Sequence, residues 1–250
     1  MKRFYQAGLL AAVAAAFGGA ARGDEKAAIA VVDKAIKAVG GEEKLGKLTA
    51  ITWKTKGTIT FNGDDNPITI QATAQGLDHL KSEFEGEFGG NKVQGVSVLN
   101  GDKGWRKFGD NSMPLDDEML AREKRNLYLQ LTPALLVPLK GKGFKLDSAA
   151  DEKVGDKPAA VVKVTGPDGK DFTISFDKES GLPVKTVATV VGFMNDEYKQ
   201  ETTFSDYKDF GGIKKAAKSS SKRDGQKFIE SELLEFKALD KAPADAFNEP

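Results

Sequence analysis

Cysteine is absent from the 250-residue chain, and histidine occurs only once, as His79. Without cysteine the protein can form neither a disulfide framework nor a thiolate metal site, and it cannot carry the lipid-modified cysteine of a lipoprotein. A single histidine also leaves few bases for a catalytic centre, which needs a nucleophile, a base and an orienting group. We expect His79 to be a surface or edge residue of a strand rather than a catalytic group.

The chain begins with an apolar run, but this run is too short for a permanent membrane span. Met1-Lys2-Arg3 is followed by an uncharged stretch at 7–21 and then by Arg22 and Gly23. The stretch has about 15 residues, whereas a helix needs roughly 20 to cross a bilayer. This layout is typical of a signal peptide. We therefore predict a signal peptide at 1–23, cleaved after Ala21 or Gly23, and a periplasmic or secreted protein without a permanent membrane anchor.

The chain also has no excess of positive charge. The chain has 37 Lys and Arg against 37 Asp and Glu, and removal of Lys2, Arg3 and Arg22 would leave 34 basic against 37 acidic residues. This balance argues against a nucleic-acid-binding surface. The motifs of serine hydrolases, zinc proteases, phosphate loops and dinucleotide-binding turns are also absent, and the acidic turns lack calcium-loop spacing. The sequence therefore predicts no nucleic-acid partner, no metal and no cofactor.

Carboxylate pairs are common, but each lies in a predicted turn or at a helix start. They are Asp64-Asp65, Asp116-Asp117-Glu118 and Asp196-Glu197. In such places acidic residues serve turn geometry and helix capping. Two carboxylates from distant segments can nevertheless meet in a fold, so a carboxylate-dependent hydrolase stays open as the least favoured hypothesis.

Three segments have the features of helices. Apolar residues recur every three or four positions at 27–39, and Gly40-Gly41 ends this segment. A short second helix is predicted at 42–48. A third is predicted at 116–131, where acidic residues at the start favour the helix dipole and no glycine or proline interrupts the segment.

The rest of the chain alternates between apolar and polar residues, which indicates half-buried strands. Turn residues separate the strands, and few helices lie between them, so we predict an antiparallel sheet. The fold class is mainly β (α+β), with helices packed on one face of a large curved sheet, and 24–250 is predicted to be one domain. About eleven strands are predicted, at 51–61, 68–75, 80–88, 93–99, 105–108, 159–165, 172–176, 184–191, 198–207, 213–222 and 227–236, the last with a change of phase that indicates a bulge.

A leucine-rich segment separates the two groups of strands. It spans the third predicted helix and the loop after it, and it provides a large apolar surface. One interpretation is ordinary core packing against the sheet. The other is that the helix covers a cavity that binds an apolar ligand, because several inward strand positions are small. These positions are Gly57, Ala72, Ala74, Ser82, Gly86, Ala217, Ser219 and Ser221.

Several local motifs resemble those of the LolA-like outer-membrane lipoprotein carriers and their relatives LolB and RseB. The resemblance covers nearly the whole mature chain. Its motifs are Ala35-Ile36-Lys37-Ala38-Val39-Gly40-Gly41, Asn100-Gly101-Asp102-Lys103-Gly104-Trp105, Asp177-Lys178-Glu179-Ser180-Gly181-Leu182-Pro183, the segment 204–214 and the final Phe247-Asn248-Glu249-Pro250.

This resemblance implies an incomplete antiparallel barrel, or half-barrel, whose concave apolar face is covered by helices and holds acyl chains. It also implies an arginine on an early strand that fastens the helical lid. The strands between 51 and 99 contain no arginine, and Arg106 is the nearest candidate. We predict that inward aromatic residues and lid leucines contact the ligand, namely Trp53, Phe61, Phe84, Phe88, Trp105, Leu127, Leu131, Leu135 and Leu136.

The leading hypothesis is an exported, non-enzymatic protein that binds a lipid, a lipoprotein acyl chain or another apolar molecule beneath the helix. The alternative is an envelope interaction or sensor module, in which the same surface docks a protein partner. The two hypotheses differ in whether the concave face retains space for a ligand.

Overall fold

The computed structural model describes residues 24–192 and 195–250, so the predicted signal peptide lies outside the described residues. The helices are α1 (Glu25–Val39), α2 (Glu42–Gly46) and α3 (Asp117–Leu135), with a short 3-10 helix at Val137–Lys140. The strands are β1 (Ala50–Phe61), β2 (Asp64–Gln75), β3 (His79–Phe88), β4 (Asn91–Asn100), β5 (Lys103–Phe108), β6 (Asn111–Pro114), β7 (Lys145–Val154), β8 (Lys157–Thr165), β9 (Asp171–Asp177), β10 (Pro183–Val191), β11 (Glu197–Asp209), β12 (Lys214–Arg223) and β13 (Gln226–Leu239).

All thirteen strands belong to one antiparallel sheet, in the order β6-β5-β4-β3-β2-β1-β13-β12-β11-β10-β9-β8-β7. Strands β1 to β6 form the first meander, and strands β7 to β13 form the second. The two meanders join where β1 pairs with β13. Strands β6 and β7 are the two ends of the sheet, so the sheet is not closed into a barrel. The predicted fold class, a mostly antiparallel β protein with an incomplete barrel and packed helices, is confirmed.

Two strands were not predicted from the sequence, and both are edge strands. In β6 all four residues are exposed, and in β7 Leu146 alone is buried. An edge strand is held by backbone hydrogen bonds to a single neighbour, so it needs no alternating apolar face. The pattern of apolar and polar residues therefore does not predict β6 or β7.

The seam between the meanders is tightly packed and carries a bulge. Lys54 pairs with Glu235 but Thr55 pairs with Leu233, so Leu234 is the extra residue. The bulge predicted from the change of phase in 227–236 is confirmed. A Cβ atom added at Gly57 would lie 1.9 Å from the carbonyl oxygen of Glu230, which shows how closely the two backbones approach.

Helix α1 packs against the outer strands of the second meander. Asp24 caps its first turn, because the side-chain carboxylate accepts hydrogen bonds from the backbone N–H groups of Lys26 and Ala27 at 2.9 and 3.2 Å. The buried face of the helix joins the largest core cluster, together with Val162 and Ile174 of the sheet. Within the described ranges, no helix combines the length and apolar character needed to cross a membrane.

The C-terminal segment covers the opposite, convex face of the sheet. Ala242 and Phe247 form a small core cluster with Ala50 and Val98. The backbone carbonyl of Phe247 accepts a hydrogen bond from the side-chain amide of Asn100 at 3.1 Å. His79, the first residue of β3, also lies there, with its ring centroid 5.3 Å from that of Phe247.

Replacing Gly57 tests the close approach at the seam. In Gly57→Ala the new methyl group would collide with the Glu230 carbonyl, and we expect a loss of about 2 kcal/mol in the free energy of unfolding. Gly46→Ala is the control, since a Cβ there has no neighbour within 4 Å. Urea denaturation should show the loss for the first variant only. Equal stability of the two variants would contradict this packing.

Candidate ligand-binding site

Helix α3 lies across the concave face and buries its leucines there. Leu127, Leu131 and Leu135 form one core cluster with Trp53 and other inward residues of the first meander. Strand alternation brings those sheet residues to the same face, because Trp53 pairs with Ala72 and Ala72 pairs with Ser82. Beneath most of the helix, the concave face is therefore filled by side chains, whereas near its end Trp53 and Leu131 of this cluster also line a small space.

The helix is longer than the sequence predicted. It continues through Thr132 and Pro133 and ends at Leu135, where the backbone N–H of Leu136 donates to the carbonyl of Thr132 at 2.9 Å. Burial of Leu131 and Leu135 stabilises this last turn despite the proline, which cannot donate a hydrogen bond.

The large space on the concave face lies beyond the part that α3 covers. This open trough has a volume of about 1410 Å³ and reaches from β4 and β5 to β11 and β12. Four strands separate β4 from β12 in the sheet, so residues on both can line one space only because the sheet is strongly curved. Its inward-facing residues are Gly57, Ile68, Gly86, Val93, Phe108, Ser219 and Ser231.

A smaller space of about 150 Å³ lies beside the end of α3, and we call it the Lys215 pocket. Its apolar wall includes Val39, Leu131 and Phe236. Ser219 and Ser231 line both this pocket and the open trough, and their hydroxyl oxygens are 2.8 Å apart. This serine pair is therefore part of the wall of both spaces.

Eight of the nine predicted contact residues lie on the concave side, but they are not gathered around one space. Trp53, Leu127, Leu131 and Leu135 form the filled cluster, and Leu136 belongs to the other core cluster, with α1. Phe84 stands near the trough, with its ring centroid 6.1 Å from that of Phe108. Phe88 lies against Gly86, and Phe61 is 59% exposed at the end of β1.

Trp105 is placed differently from the prediction. It packs against the cluster of Ala50, Val98, Ala242 and Phe247 on the convex face. Trp105 pairs with Val98 in the ladder, whereas the next residue, Arg106, pairs with Ser97 and faces inward. The expected inward position of Trp105 is wrong, because the strand places its odd positions on the side that the C-terminal segment covers.

Charged side chains fasten α3 to both meanders. Arg106 of β5 pairs with Glu123, and both side chains are largely buried. Arg125, which is buried, donates to the carboxylate of Asp168 at 2.9 Å and to the Thr189 carbonyl at 3.1 Å. The resemblance pointed to Arg106 as the residue that fastens the lid, and its side chain does contact the helix.

The Asp168 carboxylate is also bound to the helix through Tyr128. The Tyr128 hydroxyl donates to Asp168 at 2.7 Å, and burial raises the pKa of Tyr128. Burial alone would raise the pKa of Asp168, but hydrogen bonds from Tyr128 and the Lys170 backbone, with the charge of Arg125, hold that pKa below its usual value. The group therefore remains an anion that balances the buried arginine.

Lys215 is a site residue that sequence reasoning missed. It is 5% exposed, donates a hydrogen bond to the Ala134 carbonyl near the end of α3, and lies 4.9 Å from the centroid of the Phe236 ring. Burial lowers its pKa to about 7. The alternation that places Ala217 and Ser219 inward also places Lys215 inward, so the signal was present in the strand pattern.

Two of the carboxylates that were considered for catalysis, Asp65 and Asp116, have structural partners. Asp116 caps α3 by accepting from the Met119 N–H at 2.8 Å, and Asp65 binds Thr60 and Lys227. In the part of the chain that the structure describes, no three His, Asp or Glu side chains are grouped so that they could hold a metal ion.

Comparison of the structure with solved structures identifies the fold. A LolA superfamily protein from Nitrosomonas europaea matches 89% of this chain and 97% of its own, with a TM-score of 0.58 and 10% identity. A domain from Vibrio parahaemolyticus assigned to outer-membrane lipoprotein sorting matches 90% of this chain and 97% of its own, with a TM-score of 0.58 and 9% identity.

The chain therefore has the fold of LolA superfamily proteins, and the resemblance inferred from the sequence is confirmed at the level of the fold. No protein-family model and no curated protein matches the sequence itself. At such low identity the likeness concerns the fold, and the function has to be argued from the site.

Removing the Asp168 charge tests the attachment of α3. We expect Asp168→Asn to lower the free energy of unfolding at pH 7 by about 2 kcal/mol, because Arg125 would lose its counter-charge. The expected loss is smaller than for a fully buried ion pair, since Asp168 is partly exposed. The pKa of Asp168 is lowered on folding, so its contribution is present above the ordinary value of 3.8 and lost as pH falls below it.

Urea denaturation at pH 7 and pH 3 checks this expectation, with Asp102→Asn as the control. Asp102 binds Lys124 of the same helix at 2.7 Å, but its side chain is 97% exposed. We expect little change in that control. A loss of the same size in both variants, or one that does not shrink in acid, would contradict the role given to Asp168.

Burial of Lys215 leads to a separate prediction about how the stability of the protein depends on pH. Its pKa is about 7 in the folded protein and 10.5 ordinarily, so between these values the unfolded chain binds a proton that the folded protein lacks. Stability should therefore rise with pH, by about 2 kcal/mol from pH 7 to pH 9. Lys215→Met should abolish this rise, whereas Lys214→Met, on the exposed neighbour, should preserve it. Parallel pH profiles for all three proteins would refute the prediction.

Proposed function

We propose that this protein is an exported, non-enzymatic binding protein that holds an apolar ligand, such as a lipid or a lipoprotein acyl chain, in the open trough. The observation that carries the proposal is the trough itself, a space of about 1410 Å³ on the concave face. Pockets for drug-sized ligands have volumes of roughly 300–1,000 Å³. The trough is larger and suits a long, flexible chain.

The walls of the trough support an apolar ligand. Phe108 is 42% exposed and Val93 is 36% exposed, although both are large apolar residues that line a concave surface. Ile68, which pairs with Gly57 on one side and with Gly86 on the other, adds an apolar side chain to the same surface. Apolar side chains that face a concave space are the usual lining of a ligand site.

Export is supported by the sequence pattern at 1–23, and the carrier role by the kind of protein that shares the fold. One structural neighbour is assigned to outer-membrane lipoprotein sorting. Strand alternation turns serine and apolar side chains into the trough, whereas the lysines and glutamates of its lining, such as Lys56, Glu85 and Glu230, face the other side of the sheet, so the inward wall supplies no acid–base pair. Binding therefore explains the site better than hydrolysis does.

Filling the trough with a large side chain tests the proposed function. Ser219→Trp would place a large side chain at the inner end of the trough, whereas Ser220→Trp would place it on the opposite face of the same strand. The probe is cis-parinaric acid, whose fluorescence increases in an apolar environment. We expect the wild type and Ser220→Trp to bind it, and Ser219→Trp to bind at least tenfold more weakly.

Two outcomes would count against the proposal. Absence of probe binding by the wild type would overturn it and favour the alternative, a docking surface for an envelope protein. Equal binding by the two tryptophan variants would show that the probe lies outside the trough. Circular dichroism of each variant would show that the sheet has formed.

A further inference from the structure

The Lys215 pocket combines an apolar wall with one buried amine. Its volume of about 150 Å³ is similar to that of an engineered cavity that binds benzene. It can hold a small group and a few carbon atoms but not a whole lipid. The pocket is therefore suited to one end of a longer ligand whose remainder lies elsewhere.

Lys215 lacks a negative partner among the residues that the structure describes. Its single hydrogen bond is to the Ala134 carbonyl, and no described carboxylate lies within 4.0 Å of the amine. A lysine ammonium has three donors, so two of them have no protein acceptor there. Burying a cation without a counter-charge is costly, and a bound anion would offset that cost.

The other polar groups around the pocket add no negative charge. Strand β11 contributes Tyr207, whose hydroxyl donates to the Pro183 carbonyl at 2.6 Å and whose pKa is raised by burial. Helix α3 contributes the neutral Gln130, and β12 contributes Lys214, which is exposed. No acidic side chain therefore lines the pocket, and Lys215 and Lys214 are its charged side chains.

The Lys215 pocket lies next to the open trough. The serine pair formed by Ser219 and Ser231 borders both spaces. A chain lying in the trough therefore has one end next to the Lys215 pocket, with the small side chains of these two serines between them.

We infer that Lys215 binds the carboxylate of a long-chain fatty acid whose hydrocarbon chain lies in the open trough. This inference rests on the proposed function and narrows it, because it assigns the ligand class as an anionic amphiphile rather than a neutral acyl chain. The ammonium pairs with the carboxylate, and the apolar wall of the pocket surrounds the first carbon atoms.

Ligand pairs with the same hydrocarbon chain test the inference without any mutation. Oleate and oleyl alcohol differ in the end group alone, and isothermal titration calorimetry at pH 7 measures both. We expect the wild type to bind oleate at least tenfold more tightly than oleyl alcohol. Equal affinities would overturn the inference but leave the proposed function standing, whereas binding of neither ligand would overturn both.

Variants then assign the preference to Lys215. In Lys215→Met the preference for oleate should disappear while oleyl alcohol binds as in the wild type. Lys222→Met, which removes an exposed charge of the same strand outside both spaces, should keep the full preference. If Lys215→Met instead weakens both ligands equally, Lys215 only positions α3 through Ala134, and the inference is wrong.

Discussion

The position of α3 on the concave face depends on charged contacts from both meanders. Arg106 in the first meander and Lys215 in the second each contact this helix, and Arg125 of the helix reaches Asp168 in the turn after β8. Burial of leucine is favourable but not directional, whereas a charged hydrogen bond requires a particular geometry. Burial of the leucines thus stabilises the packed helix, and the charged contacts determine its position on the sheet.

This one constraint produces both the core and the candidate site. Where α3 lies, Leu127 and Leu131 fill the curved sheet, and where the helix ends, the sheet remains open. The boundary carries the Ser219 and Ser231 pair and the buried Lys215. A helix displaced along the sheet would change the filled part, the open part and the partners of Lys215 together.

Most of the fold could be predicted because its signals are local. Alternating residues and turn chemistry located eleven of the thirteen strands, and the change of phase near Leu234 indicated the bulge. The missed strands β6 and β7 depend on backbone pairing at the edges of the sheet, which leaves little trace in side-chain pattern. The last turn of α3 was missed because packing of Leu135 outweighs the local effect of Pro133.

The candidate site was less predictable. Inward positions such as Trp53 follow from alternation, but whether an inward residue meets a ligand or a leucine depends on the helix above it. Trp105 was misplaced because the pattern of a short strand does not show which face is covered, and here the C-terminal segment covers the convex one.

The sequence by itself determined the helices, most of the strands and turns, and the alternation of strand residues between two faces, because these follow from the local geometry of the backbone. Only the tertiary structure decided which part of the concave face stays open and which inward residue has no acidic partner among the residues described. Lys215 shows why: its one hydrogen-bond acceptor, Ala134, is 81 residues away in the chain. Contacts over such distances arise from packing of the whole sheet and helix, and no local pattern specifies them.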